Sequence, residues 1–215
     1  MSASELFASV PSAGHEGPPV NATRRAAFLD RDGVINVDHG YVVRQEEFEF
    51  VPGVLDAAAQ LAAAGYALVV VTNQSGIGRG LYTAADFERL SAWMRERFAA
   101  AGAALAGVYY CPHHPTDALG AFRRDCDCRK PAPGMLRQAQ RELGIAMADS
   151  ALFGDKRSDL QAAVAAGVTT RVLLGTDGRA EPTDEAPEAT ARFRSLAEAV
   201  ASPWWRARHA AVRHG

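Results

Sequence analysis

Cysteine is scarce in this chain and odd in number. There are three, Cys111, Cys126 and Cys128, all within one short stretch. An odd count packed that closely argues against a disulfide framework and for a cluster of metal ligands in a reducing compartment. Excess charge is missing too. Asp and Glu total 25 against 23 Lys and Arg, a net charge of −2, which leaves no footprint for nucleic acid or another polyanion. No uninterrupted apolar run reaches the roughly 18 residues that suggest a membrane span. The opening stretch, MSASELFASVPSAGHEGPPV, has neither a basic leader nor a continuous apolar segment, so a secretory signal is not expected. There is no internal repeat and no sign of a second core. These absences lead to the expectation of a cytoplasmic protein with no membrane or nucleic-acid partner, built as a monomer.

What is present is a regular alternation. Short apolar runs predict strands at about 25–29, 67–71, 107–110, 150–153 and 170–174. Helical patterns follow them: VLDAAAQLAAAG after Pro52-Gly53, a helix started by Thr83 with Asp86, MLRQAQREL after Pro133, DLQAAVAAG, and a last helix around Phe193 to Ala201. Five such alternations give a parallel sheet of about five strands with helices on both faces, a three-layer Rossmann-like α/β sandwich. Residues 1–23, rich in Ser, Ala, Gly and Pro, are expected to form a flexible extension. Residues 24–201 would be the single domain, and 202–215 a basic tail in which Trp204 and Trp205 pack while the end frays.

Four of the five strands end in polar clusters: Asp30 with Asp32, Thr72 to Ser75, Cys111 to His114, and Gly154-Asp155. Strand ends of a parallel sheet share one edge, where open α/β folds bind their ligands. Asp30 and Asp32, by themselves, could be no more than a strand running into an Asx-type turn. Together with Thr72, Ser75, Arg129, Lys130, Asp155 and Asp159 they supply oxygen ligands for a hard divalent cation and donors for a phosphoryl group. An aspartate can also attack phosphorus and carry it as an aspartyl-phosphate.

The strings FLDRDG, VVVTNQSG, CRKP and GDKRSD, in that order, resemble the four motifs of the haloacid-dehalogenase-type phosphatases over roughly residues 24 to 175. INVDHGY, YYCPHHP and CDCRKPAPGM are similar to the heptose 1,7-bisphosphate phosphatases, and the histidinol-phosphate phosphatases share much of the pattern. The resemblance implies Asp30 as nucleophile, Asp32 as general acid and base, Thr72 as a phosphoryl-oxygen ligand and Lys130 as the neutralising cation. It implies Mg²⁺ held by Asp30, Asp155 and the Asp32 carbonyl. Asp159 would stand behind these, or simply favour a helix N-terminus with its charge.

The same resemblance implies no large cap domain. Substrate selection would then fall to Asp38, His39, Gly40, Tyr41, Asn73, Gln74, Ser75, Arg129 and Lys156, with a small sugar phosphate as partner. The implied reaction removes the 7-phosphate of D-glycero-D-manno-heptose 1,7-bisphosphate, in nucleotide-activated heptose biosynthesis. A histidinol phosphatase and a non-catalytic sugar-phosphate sensor are the alternatives; a sensor would be marked by loss of Asp30 or Asp32, and both are present. Cys111-x-His113 and Cys126-x-Cys128 supply four ligands suited to a structural Zn²⁺ that holds an irregular loop together. His113 is preferred to His114 by the family pattern.

Overall fold

A computed structural model describes residues 24–175, 177–178 and 185–209. The extension expected at 1–23 and the end of the tail, 210–215, lie outside the described residues. The strands are β1 (Ala26–Leu29), β2 (Ala67–Asn73), β3 (Leu105–Cys111), β4 (Ala151–Gly154), β5 (Thr170–Leu174) and β6 (Ala191–Phe193). The helices are α1 (Val54–Ala63), a single turn α2 (Ser75–Gly78), α3 (Ala84–Ala100), α4 (Gly134–Leu143), α5 (Arg157–Ala166), α6 (Leu196–Ala201) and α7 (Pro203–His209).

All six strands pair in parallel, in the order β3-β2-β1-β4-β5-β6. The five strands read from apolar runs are all there. The sixth is an addition: β6 is three residues long, half exposed and carries Arg192, so no apolar run marks it. The helix expected from about Phe193 is α6, which accordingly starts later, at Leu196. Ser195 caps it by accepting a hydrogen bond from the Glu198 amide at 3.1 Å. At the start of α3, Thr83 and Asp86 form the reciprocal capping box that their spacing suggests.

Side chains alternate across each strand, so β1 sends Ala27 and Leu29 to one face and Ala26 and Phe28 to the other. On the first face lie Ala57, Ala58 and Leu61 of α1, then Phe87, Leu90, Met94 and Phe98 of α3, and the buried residues of α6. The second face is covered by Met135, Leu136 and Ala139 of α4 and Leu160, Ala162 and Ala163 of α5. Each large side chain so buried contributes roughly 1.5–3 kcal/mol of transfer free energy. Among the described residues no separate cap domain is inserted, and no helix is long and apolar enough to cross a membrane.

The chain runs outward from β1 through β2 to β3, then returns to β4 on the other side of β1. The reversal therefore falls between β1 and β4, the position at which such sheets open a crevice. Asp30 follows β1 there and Asp155 follows β4. The Asp30 amide still donates to the Phe153 carbonyl at 3.0 Å, so the two strand ends stay in register up to the crevice.

Trp205 joins α7 to this core. It is 4 % exposed and packs 5.7 Å from the Tyr66 ring and 5.3 Å from the Phe153 ring. Trp205→Ala should therefore lower unfolding free energy by about 3–5 kcal/mol in urea titrations. A loss under about 1 kcal/mol, the size typical of surface changes, would contradict this packing.

Candidate active site

A cleft of about 530 Å³ opens at the C-terminal edge of the sheet. At its floor lies Lys130, 3 % exposed. Its Nζ stands 2.9 Å from Asp30 Oδ1 and 2.6 Å from Asp159 Oδ1, and it donates to the Val71 carbonyl at 2.9 Å. An ammonium has three donors, and all three are used. Burial alone would lower the Lys130 pKa; Asp159 and Asp30 outweigh it and raise it, so the cation stays charged. Burial pushes the Asp30 carboxyl up to about 6, against the pull of Lys130.

Asp155 is the unbalanced member. It is 5 % exposed, and neither carboxylate oxygen has a hydrogen-bond partner. Burial first, then Asp30 and Asp159, push its carboxyl up to about 8. Asp30, Asp155 and Asp159 each bring an oxygen within 4.8 Å of the others. The cation nearest Asp155, Lys156 Nζ, stands 3.8 Å from its Oδ2, beyond hydrogen-bond reach, and buried carboxylates so weakly compensated are costly. An all-oxygen donor set with two orphaned atoms therefore fits a hard divalent cation such as Mg²⁺. Gly33, at φ +90°, makes room for this group: a Cβ there would lie 2.4 Å from Asp155 Oδ2. Asp159 pairs with Lys130 and accepts from the Lys156 amide at 3.0 Å at the start of α5.

Asp32 is held differently. Its oxygens accept from Arg31 Nη2 at 2.9 Å, Asn36 Nδ2 at 3.0 Å and Gln74 Nε2 at 3.0 Å. Burial raises its pKa, but Arg31, then Asn36 and Gln74, outweigh that and hold the carboxyl below its usual range. Arg31 is 1 % exposed and also donates to the Val42 carbonyl at 2.8 Å. The two aspartates thus sit in opposed environments, one pushed toward the proton and one away from it.

Thr72 is buried at the end of β2 and lines the cleft. Asn73 exchanges hydrogen bonds with the Lys130 backbone, accepting at 3.1 Å and donating at 3.2 Å. It fastens the Lys130 loop to β2 as well as lining the cleft. Ser75 starts α2. Asp38, Gly40, Tyr41, Gln74, Arg129 and Lys156 also line the cleft, and Lys156 Nζ lies 3.3 Å from Asp38 Oδ2. His39 departs from expectation: it lies outside this cleft, its Nε2 3.2 Å from Glu49, at the tip of a turn that the Gly40 amide closes by donating to Asp38 Oδ1 at 3.0 Å. Arg31, Asn36, Tyr82 and Ser158 are parts of the site that motif reading passed over. Arg31, standing between two acids, reads from the sequence as surface charge.

Beside the cleft, Cys111, His113, Cys126 and Cys128 converge. Cys128 Sγ is 3.1 Å from both other sulfurs and 3.2 Å from His113 Nδ1, while Cys111 lies 3.6 Å from Cys126 and 3.7 Å from His113. Tetrahedral Zn²⁺ with bonds of about 2.3 Å to sulfur needs ligand separations of roughly 3.8 Å, so the donor set fits with small outward shifts. His114 instead points to the Thr116 and Asp117 amides. Arg124 Nη2 is 2.9 Å from His113 Nε2; zinc on Nδ1 would put a proton on Nε2 and displace that contact.

A buried carboxylate beside a buried lysine, with a further acid awaiting a cation, is a means of transferring phosphoryl groups. On this sheet it defines the class, the haloacid-dehalogenase-like phosphatases. A HAD-hydrolase-like family model matches residues 127–199. The D-glycero-beta-D-manno-heptose-1,7-bisphosphate 7-phosphatase of Escherichia coli K12 is 58% identical over 151 residues, 70% of this chain and 79% of that protein. The enzyme of the same name from Photorhabdus laumondii is 49% identical over 173 residues, covering 80% and 92%. A solved D,D-heptose 1,7-bisphosphate phosphatase from B. bronchiseptica, complexed with magnesium and phosphate, superposes with TM-score 0.69 at 34% identity, over 82% of this chain and 96% of that one. The chain belongs to the heptose-1,7-bisphosphate 7-phosphatase family.

Two outcomes follow for the metals. Mg²⁺ must displace protons from Asp155 and Asp30, whose carboxyls lie at about 8 and about 6 without it. Raising the pH removes that competitor, so calorimetric Mg²⁺ affinity should tighten between about pH 6 and about pH 8; a flat profile would contradict the site. Purified protein should carry about one zinc per chain by elemental mass spectrometry. Cys128→Ser should lose that zinc and melt several degrees lower, and a wild-type protein free of zinc would contradict it.

Proposed function

We propose that this protein is a magnesium-dependent phosphatase that removes the 7-phosphate of D-glycero-D-manno-heptose 1,7-bisphosphate, leaving the 1-phosphate for nucleotide activation. The observation that carries this is the buried Asp30–Lys130–Asp159 arrangement next to Asp155, whose oxygens accept no hydrogen bond. The identity to relatives named for the beta anomer supports a preference for that anomer.

Asp30 attacks phosphorus as the bond to the sugar oxygen breaks, and Asp32 gives that oxygen its proton. Asp32 then takes a proton from the water that attacks the phosphoaspartate, releasing phosphate and restoring Asp30. In the free site Asp32 is held ionised, the state of a base. A phosphate dianion docking beside it raises its proton affinity, which suits it to the acid step. Lys130 offsets the negative charge on Asp30 and the transferring group. Thr72 and the amides at the head of α2 hold phosphoryl oxygens. Mg²⁺, on the Asp30 and Asp155 carboxylates and the Asp32 carbonyl, would supply the positive charge that lets an anion approach an anionic ester.

Arg129 and Lys156 are the cations at the cleft suited to the substrate's second phosphate, Arg by a two-pronged donor set. The zinc cluster is structural, since protein fills all four positions. A single catalytic domain over 24–201, working as a cytoplasmic monomer, completes the proposal. Steady-state comparison of the beta heptose bisphosphate with histidinol phosphate tests it. The specificity constant should favour the heptose, and a higher one for histidinol phosphate would overturn the substrate assignment. Asp30→Asn should remove turnover by several orders of magnitude while the protein stays folded.

A further inference from the structure

We propose that Tyr82 is a positioning residue: through the Gln74 side-chain amide it fixes the Asp32 carboxylate and the Thr72 hydroxyl in their working orientations. The proposal rests on the roles given above to Asp32 and Thr72. It also recasts Gln74, which acts on the machinery of the site more than on the sugar.

Tyr82 forms part of the cleft wall and is 9 % exposed. Its hydroxyl lies 2.6 Å from Gln74 Oε1. Gln74 is 2 % exposed, and its Nε2 lies 3.0 Å from Asp32 Oδ2 and 2.8 Å from Thr72 Oγ1. The direction of every bond follows by elimination. An ionised carboxylate only accepts, so the amide nitrogen must face Asp32. The amide oxygen is then turned to Tyr82, and the phenol must donate. Burial keeps it a donor, pushing the Tyr82 hydroxyl up to about 12. The second N–H of the amide goes into Thr72 Oγ1. That occupies an oxygen lone pair and leaves the Thr72 hydrogen free for an acceptor in the cleft, which is what a phosphoryl oxygen requires.

Without the phenol, the buried amide oxygen would be unpaired. The amide could also turn over, presenting its oxygen to the Asp32 carboxylate and losing both donors at once. The chain is shaped to prevent this. The Leu81 amide donates to the Gly76 carbonyl at 2.9 Å, closing the turn that brings Tyr82 back over Gln74. Gly76 lies directly beneath the ring: a Cβ there would stand 2.2 Å from Tyr82 Cε1. A glycine at 76 and a tyrosine at 82 are thus one spatial unit. Asp32 keeps Arg31 and Asn36 when the amide is lost, so the effect is partial.

The test is steady-state kinetics on the heptose bisphosphate with Tyr82→Phe, Gln74→Ala and the double variant. Tyr82→Phe keeps the ring and its packing. It should lower kcat about tenfold with KM within about twofold, a fraction of what acid–base catalysis contributes. The double variant should be no slower than Gln74→Ala alone, because one partner acts through the other. A rise in KM at unchanged kcat would overturn the proposal by making Tyr82 a substrate contact. Additive losses in the double variant would overturn it as well. Asp30→Asn on the same substrate separates the two levels: turnover surviving there would refute the phosphatase reading itself, whatever Tyr82 does.

Discussion

One buried ammonium among buried carboxylates is the constraint on which this molecule depends. Lys130 spends its three donors on Asp30, Asp159 and the Val71 carbonyl, and Asp155 stands close by with no hydrogen bond. With all three carboxylates ionised, the cluster carries a double negative charge that a divalent cation cancels. Burial first, and then the neighbouring carboxylates, push Asp30 and Asp155 upward, while Asp159 and Asp30 hold Lys130 charged. A substrate phosphate adds further negative charge to the same space. The proposed nucleophile and the proposed metal site are therefore two sides of one electrostatic imbalance.

The scaffold keeps that imbalance in place. Parallel strands bring Asp30, Thr72 and Asp155 to one edge, with the reversal of strand order between β1 and β4. Lys130 arrives from a loop and needs its own anchors. Asn73 exchanges two hydrogen bonds with its backbone, and Cys128 sits two positions earlier in the zinc-type cluster. The Gly134 amide closes the loop on the Asp127 carbonyl at 2.7 Å, at the start of α4. The cysteine–histidine cluster thus adjoins the segment that supplies the counter-charge of the buried carboxylates.

Which of these features could be read from the sequence follows from how local their signals are. Strands β1 to β5 show as apolar runs that stop at polar residues, so the sheet and its working edge are legible. The short edge strand β6 has no such run, because Arg192 is exposed and its neighbours are half-buried. Asp30, Thr72 and Asp155 are legible because each stands at a strand's end, and Asp32 because it follows Asp30 in the same turn. Arg31 is not: a lone arginine between two acids reads as surface charge, yet it is wholly buried against Asp32 and the Val42 carbonyl. The Tyr82–Gln74 contact depends on a turn that no residue pattern announces. His39 shows the converse, a residue adjacent to cleft residues in sequence and outside the cleft in space.

The central claim is that Asp30 becomes covalently bound to phosphorus. The direct measurement is rapid acid quenching during turnover of the heptose bisphosphate, followed by borohydride reduction and peptide mass mapping. An aspartyl-phosphate is reduced to homoserine, so the peptide containing Asp30 should carry homoserine at that position, and only when substrate was present. Turnover that leaves Asp30 unmodified under conditions where the phosphoenzyme should accumulate, or homoserine at another carboxylate, would contradict the account.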